Sequence, residues 1–259
     1  MPASEAEPAR GVFVELFPAG FEEIEQRGAV ELAAYADGVA EARLRERFAS
    51  VTASAVAPGW ETRWREFHRP VRVGKLWIGP PWESPPGDAI AVVIEPGRAF
   101  GTGGHATTRL CLELLVGLQS ELGGGSVLDL GCGSGVLSIA AARLGYGPVF
   151  GLDLGPAAVE ETQRNAERNG VDVDVRAGDA LSAELLVADL VLANIARPTI
   201  DALAARLRCR VLVASGYLDG ESAALPGFRH RERATAEGWA ADVYEHGELS
   251  VRSRDRGVT

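Results

Sequence analysis

From Ala89 onward the chain alternates between two hydrophobic rhythms. Short apolar runs, "AIAVVIE", "SVLDL", "PVFGLD", "VDVRAGD", "ADLVLANI" and "RVLVASG", have the length and composition of buried strands. Between most of them lie stretches with helical spacing. In "TTRLCLELLVGLQ", Leu110, Leu114, Leu115 and Leu118 share one face, and Thr107 or Thr108 is expected to cap its start. "VLSIAAARLG" ends at Gly145. "PAAVEETQRNAERNG" has Pro156 near its start and Gly170 past its end, and "TIDALAARLR" follows the fourth strand. Such alternation predicts an α/β fold: a doubly wound, mostly parallel sheet with helices on both faces. The tail "FRHRERATAEGWAADVYEH" breaks the rhythm. Two strands around a turn at Glu237-Gly238 predict an antiparallel C-terminal hairpin at the sheet edge.

The first part of the chain has a different pattern. Residues 1–10 are polar and read as disordered. "GVFVELF" and "GAVELAAYA" read as strands, and "SVTASAVA" as another. "GVAEARLRERF" reads as a helix with Val39, Leu44 and Phe48 on one face. Together they predict a small α+β domain of order β-β-α-β over residues 1–57. In 58–88, Trp60, Trp64 and Phe67 have helical spacing before heavy proline and glycine punctuation. This segment reads as a connecting helix and a proline-rich linker, its tryptophans packing one domain against another. The main α/β domain then occupies 89–259.

Composition narrows the function classes. With 259 residues, 46% of them hydrophobic, the chain can build a full core. No apolar run is long enough to span a membrane, and "MPASEAEPAR" lacks the features of a signal peptide. Cys111, Cys132 and Cys209 are odd in number and far apart, which predicts neither a disulfide framework nor a metal site. A cytoplasmic location is expected, with monomer as the default state. The formal charge of -10 argues against general nucleic-acid binding.

The chemistry concentrates in two glycine-rich stretches. "DLGCGSG" sets Gly131, Gly133 and Gly135 between a strand and a helix, where glycine permits a tight turn and close approach of backbone to a ligand. Its spacing is G-x-G-x-G rather than the G-x-G-x-x-G of dinucleotide enzymes. Asp153 ends the next strand, roughly 20 residues on, where a carboxylate can accept hydrogen bonds from both hydroxyls of a ribose. Together with the closing hairpin, the glycine spacing favours S-adenosyl-L-methionine over a nicotinamide cofactor. Asp179, in "AGDA", suits either a contact with an adenine amine or a turn cap. Upstream, "EPGRAFGTGGHATTRLCLELL" is the second glycine-rich stretch, in front of an apolar helix.

Four segments, "IEPGRAFGTGGHATTRLCLELL", "VLDLGCGSGVLSIAAARLG", "AVEETQRNAERNGV" and "DLVLANI", resemble the ribosomal protein L11 methyltransferases. "GWETRWREF" and "IGPPWE" are similar to that family's connecting segment. The resemblance runs from about Trp60 to about Ile195, and more weakly beyond. It implies a class I, seven-stranded methyltransferase domain behind a small ferredoxin-like substrate-recognition domain. It also implies transfer of methyl groups to lysine or α-amino groups of ribosomal protein L11. Position by position, it implies that Thr108, Gly131, Gly133, Asp153 and Asn194 contact the cofactor, with the FGTG-type loop above it and the G-x-G-x-G loop below. Asn194, at the end of the fourth strand, would also align the amine. His105 would help remove its proton or shape the pocket.

The chain departs from the family in three places. The N-terminal unit looks shorter than the family's βαββαβ. "NIARPTI" carries Arg197 and Pro198 after the asparagine, and the glycine turn before the fifth strand is absent. Alternatives stay open at this point: an N-methyltransferase for another protein or a small-molecule amine, and, in a different class, a nicotinamide-dependent oxidoreductase.

Overall fold

The computed structural model describes residues 9, 12–13, 16–17, 22–26, 29–34, 38–48, 50–53, 69–96 and 103–247. The chain divides into two compact units, Met1–Glu61 and Thr62–Thr259.

In the first unit, "GVFVELF" is not a strand: Val12, Phe13 and Leu16 are helical, and the Phe17 N–H donates to the Phe13 carbonyl at 2.8 Å. Positions 12, 13, 16 and 17 recur with helical period, which puts the Phe13 and Phe17 rings 5.3 Å apart. Strand β1 (Glu22–Gln26) pairs antiparallel with β2 (Ala29–Ala33). Helix α1 (Gly38–Arg47) buries Leu44 against Phe13 and Phe17, with Phe48 beside them. Val39, expected on that face, is 66% exposed. Residues 50–53 carry no regular structure, and the rest of the expected strand, Ser54–Ala57, lies outside the described residues, as do Trp60, Trp64 and Phe67. The order helix, strand, strand, helix replaces the β-β-α predicted there.

In the second unit, part of the segment expected to be a linker is core structure. Strand β3 (Val71–Val73) turns at Gly74 into β4 (Leu76–Gly79), and β5 (Ile90–Val93) pairs parallel to β4. Val71, Val73, Leu76 and Ile78 alternate about the Gly74-Lys75 turn, and Leu76 and Ile78 are fully buried. The first of the predicted parallel strands, "AIAVVIE", therefore belongs to a separate three-stranded sheet.

The principal sheet has seven strands: β6 (Val127–Leu130), β7 (Val149–Asp153), β8 (Asp174–Ala177), β9 (Ala188–Asn194), β10 (Cys209–Leu218), β11 (Phe228–Ala236) and β12 (Trp239–His246). Their order is β11-β12-β10-β9-β6-β7-β8. The five strands from β10 to β8 are parallel, and β12 runs antiparallel between β10 and β11. Among the described residues, helices α2 (Ala106–Leu122), α3 (Val136–Arg143), α4 (Pro156–Asn169) and α5 (Arg197–Leu203) accompany the sheet.

Successive strand residues feed opposite faces. Val127 joins one apolar cluster with Leu110, Leu115 and Ile139, while Leu128 and Leu130 join another with Ile200 and Leu203. Glu237 and Gly238, both at positive φ, form the hairpin turn. The hairpin is fastened to β10 by buried Asp242, which accepts from the Tyr217 hydroxyl at 2.7 Å and from the Arg233 guanidinium at 2.8 Å. Burial opposes ionisation of Asp242, yet its bonds to Arg233, Tyr217 and His230 hold it below the usual carboxylate range. Strand order reverses between β6 and β9, and the carboxyl ends of strands at such a switch point are where open α/β sheets bind ligands.

Candidate functional site

The G-x-G-x-G turn follows β6 at that switch point. Gly131, Gly133 and Gly135 have φ of 72°, 57° and 82°, the left-handed region open to glycine. Space demands glycine as well. A Cβ on Gly131 would lie 2.4 Å from Ile195 Cγ2, and one on Gly135 would lie 2.8 Å from Thr162 Cγ2. Gly131 is tied to the neighbouring strand through its N–H, which donates to the Leu152 carbonyl at 2.8 Å.

Asp153 ends β7 beside this turn. Its Oδ2 accepts from the Gly133 N–H and its Oδ1 from the Gly155 N–H, each at 2.9 Å. An ionised carboxylate has about four lone-pair positions, so two backbone donors leave room for two hydroxyl donors. The end of α3 is less open than the sequence suggests. The Val136 N–H donates to Ser134 Oγ, and the Ser138 N–H donates to Asp129 Oδ2 at 3.1 Å.

Asn194 and Thr108, 86 residues apart in sequence, are neighbours: Asn194 Nδ2 donates to Thr108 Oγ1 at 3.4 Å. Thr108 is fully buried in the first turn of α2, and Asn194 is the last residue of β9. Neither threonine caps α2. That role falls to His105, whose Nδ1 lies 3.3 Å from the Thr107 N–H and 2.8 Å from Thr107 Oγ1. A His105 cap frees Thr108 to face Asn194. The His105 ring meets Trp239 edge-on at 5.1 Å between centroids, and Arg109 bonds both the Gly104 carbonyl and the Glu237 carboxylate. The closing hairpin thus grips the end of the first glycine-rich stretch. Gly97–Thr102, which include the phenylalanine and two of the glycines of that stretch, lie outside the described residues.

Asp179 forms a local turn, with Oδ1 accepting from the Leu181 N–H at 2.9 Å. The capping role is visible.

Four contributors went unread in the sequence. Asp129, 1% exposed beneath the glycine turn, accepts from the Ser138 hydroxyl at 2.6 Å through Oδ2, while its Oδ1 is buried without a hydrogen-bond partner among the described residues. Burial raises its pKa to about 6 against the opposing effect of the Ser138 bonds. Gly216, at φ 104°, lets β10 approach so closely that a Cβ there would stand 2.2 Å from the Ile195 carbonyl oxygen. A glycine inside a predicted strand was the available signal. On α4, Thr162 and Asn165 are buried and bond the glycine turn from the side. Cys132, inside the turn, is not a nucleophile at neutral pH: burial pushes its thiol up to about 12.

The family model described as "Ribosomal protein L11 methyltransferase (PrmA)" matches residues 23–243. A ribosomal protein L11 methyltransferase of Vibrio campbellii is 44% identical over 171 residues, covering 63% of this chain and 57% of the relative. That of Vibrio parahaemolyticus is 42% identical over 193 residues, covering 69% of this chain and 63% of the relative. The chain therefore spans about 60% of the length of these two curated relatives. Among solved structures, a ribosomal protein L11 methylase from Lactobacillus delbrueckii subsp. bulgaricus superposes with a TM-score of 0.61 at 26% identity, covering 69% of this chain and 99% of that one. With a family model matched over most of its length and the glycine turn, Asp153 and Asn194 gathered at one sheet edge, the chain belongs to the ribosomal protein L11 methyltransferase family.

Proposed function

We propose that this chain is an S-adenosyl-L-methionine-dependent protein N-methyltransferase that modifies lysine or α-amino groups of ribosomal protein L11 in the cytoplasm. One observation carries the reading: the glycine turn, Asp153 and the Thr108–Asn194 pair converge at the carboxyl ends of β6, β7 and β9, in a chain of this family. The residues fit the cofactor. Gly131 and Gly135 let the turn pack tightly against Ile195 and Thr162 beside Asp153, which has acceptor capacity for a ribose diol. The backbone of Gly131 and Gly133 would line the cofactor, Thr108 would meet its methionine part, and Asp179 is the candidate for its adenine amine. When bound, the sulfonium supplies an already activated methyl group.

The protein's own task is then alignment of a neutral amine. A lysine amine has a pKa of about 10.4 in water, and desolvation lowers it. With Asn194 Nδ2 donated to Thr108, Oδ1 is the end available to accept an amine N–H and direct its lone pair. His105 is better suited to shape the pocket than to remove the proton. An Nδ1 that accepts from the Thr107 N–H puts the ring proton on Nε2, and a neutral ring of that tautomer is a donor there. The N-terminal unit, Met1–Glu61, is proposed to recognise the protein substrate.

Mass spectrometry of purified L11, incubated with this protein and isotopically labelled S-adenosyl-L-methionine, tests the proposal. Labelled methyl groups on lysine or the N-terminal amine are the expected result. Cofactor binding without any mass gain would redirect the search to another protein or a small-molecule amine. Absence of cofactor binding in calorimetry would overturn the methyltransferase reading itself.

A further inference from the structure

We infer that Ser215 is a positioning residue for methyl transfer: its hydroxyl fixes the end of β10, against which Asn194 is held opposite Thr108. The inference rests on the methyltransferase reading above and assigns it a further residue.

Ser215 is fully buried and stands beside Asn194 in the parallel ladder between β10 and β9. Two residues back on each strand, Val213 and Leu192 lie in the apolar cluster that also holds Cys111 of α2. Strand side chains alternate, so Ser215 and Asn194 are side by side on the sheet face turned toward α2. Thr108 and Cys111 are three residues apart on that helix and share one side of it. Asn194 meets Thr108 at 3.4 Å. Burial pushes the Cys111 thiol up to about 12, and its hydrogen bond with the Ser215 hydroxyl opposes the rise. The four side chains thus form two adjacent pairs, Asn194 with Thr108 and Ser215 with Cys111.

The Ser215 hydroxyl has a further partner. It donates to the Ala240 carbonyl of β12 at 2.6 Å. This bond sits where the β10–β12 ladder changes register, from Ser215↔Ala241 to Tyr217↔Ala240. On the other side, the Ser215 carbonyl accepts from the Ile195 N–H at 3.1 Å, immediately past Asn194. One residue therefore anchors β12 through its side chain and the end of β9 through its backbone. Alanine keeps the backbone bond and loses the anchor. At 3.4 Å the Asn194–Thr108 contact is already long, so a small shift of β9's end breaks it. A hydroxyl that only stitched strands together would cost stability without acting through Asn194, which separates the two roles.

The test uses the full chain, purified L11 and isotopically labelled S-adenosyl-L-methionine, at a temperature where circular dichroism shows every variant folded. Single-turnover methyl transfer is read beside calorimetric affinity for S-adenosylhomocysteine. Ser215→Ala is expected to slow transfer about tenfold or more, since a misplacement of about 1 Å at a reacting centre can cost about 100-fold, and to change affinity by less than about twofold. Ser215→Cys, similar in size but a weaker donor, is expected to slow transfer in the same direction. In an Asn194→Ala background, Ser215→Ala should slow transfer by less than about twofold further, because the group it positions is gone. Tyr146→Phe is the stitch control: it removes another buried hydroxyl-to-carbonyl bond, to Leu115 further along α2 at 3.1 Å, and should leave the rate within about twofold of wild type. Transfer by Ser215→Ala within about twofold of wild type would overturn the inference. So would a parallel loss of affinity, an undiminished effect in the Asn194→Ala background, or an equal slowing in Tyr146→Phe. Failure of both Ser215 variants to fold would make the residue structural and likewise overturn it. A wild-type protein that transfers no methyl group removes the reading above, and the inference with it.

Discussion

Replacing Gly216 with alanine perturbs the site from the strand beside it. Gly216 sits in the irregular part of β10, between the register positions Ser215↔Asn194 and Tyr217↔Ala240, and the Ile195 N–H donates to the Ser215 carbonyl at 3.1 Å. An alanine Cβ would stand 2.2 Å from the Ile195 oxygen, 2.7 Å from its carbonyl carbon and 3.1 Å from its nitrogen. All three are backbone atoms, so no side-chain rotation relieves the clash. Ordinary contact begins at 3.4 Å, so β9's end has to move by about 1 Å. The φ of 104° adds a conformational penalty for any L side chain. Together these should cost about 2–3 kcal/mol of stability, which for a chain of this size lowers the melting temperature by roughly 4–12 °C. Asn194 is adjacent to Ile195, and a misplacement of about 1 Å at a reacting centre can cost about 100-fold in rate. Scanning calorimetry and single-turnover methyl transfer read the two effects, with kcat expected to fall further than S-adenosylhomocysteine affinity. A variant with wild-type melting and wild-type turnover would refute the claim that the β10 irregularity holds Asn194 in place.

Further expectations follow from the same geometry. Asp153→Ala should weaken S-adenosyl-L-methionine at least tenfold, at about 1.5–3 kcal/mol per charge-assisted bond, and should also lower the melting temperature because Gly133 and Gly155 lose their acceptor; unchanged affinity in calorimetry would put the ribose elsewhere. Asn194→Ala should depress kcat more than cofactor affinity, and parallel losses would make it a cofactor contact only. Asp129, with its pKa raised by burial to about 6, binds its proton more tightly folded than unfolded, so its ionisation progressively costs stability as pH rises from about 4 to 6. Denaturant unfolding should therefore show Asp129→Asn gaining on wild type by up to about 3 kcal/mol over that window, and a pH-independent difference would contradict the assignment. A fragment beginning at Thr62 should melt cooperatively, whereas one beginning at Gly87 should not, because it loses β4, the parallel partner of β5, and the buried Leu76 and Ile78; equal melts in circular dichroism would show that the three-stranded sheet is dispensable.

Much of the second unit was legible one residue at a time. Periodicity placed the helices beginning near Ala106, Val136 and Pro156, and the hairpin turn at Glu237-Gly238, because each signal is local and repeats over several turns or strand residues. The G-x-G-x-G turn and Asp153 were readable for the same reason: their residues are close along the chain and their backbone demands are specific to residue type. The misreadings were local ambiguities. Apolar residues at 12, 13, 16 and 17 fit a short strand or one helical turn, and contact between Phe13 and Phe17 resolved it. The alternation in "VRVGKLWIG" was hidden beside prolines that suggested a linker.

The sequence by itself determined the α/β class, the glycine turn and the residue types at the site, because chain stiffness, period and glycine's freedom act over a few residues. Only the tertiary structure decided which residues meet. The Thr108–Asn194 contact, the joining of Glu95 to Ser134 through Asn165, and the approach of Gly216 to Ile195 span 86, 70 and 31, and 21 residues of sequence. No local pattern specifies such contacts. They follow from the order in which strands pack to bury both faces of the sheet, and from the need of each buried backbone group for a partner.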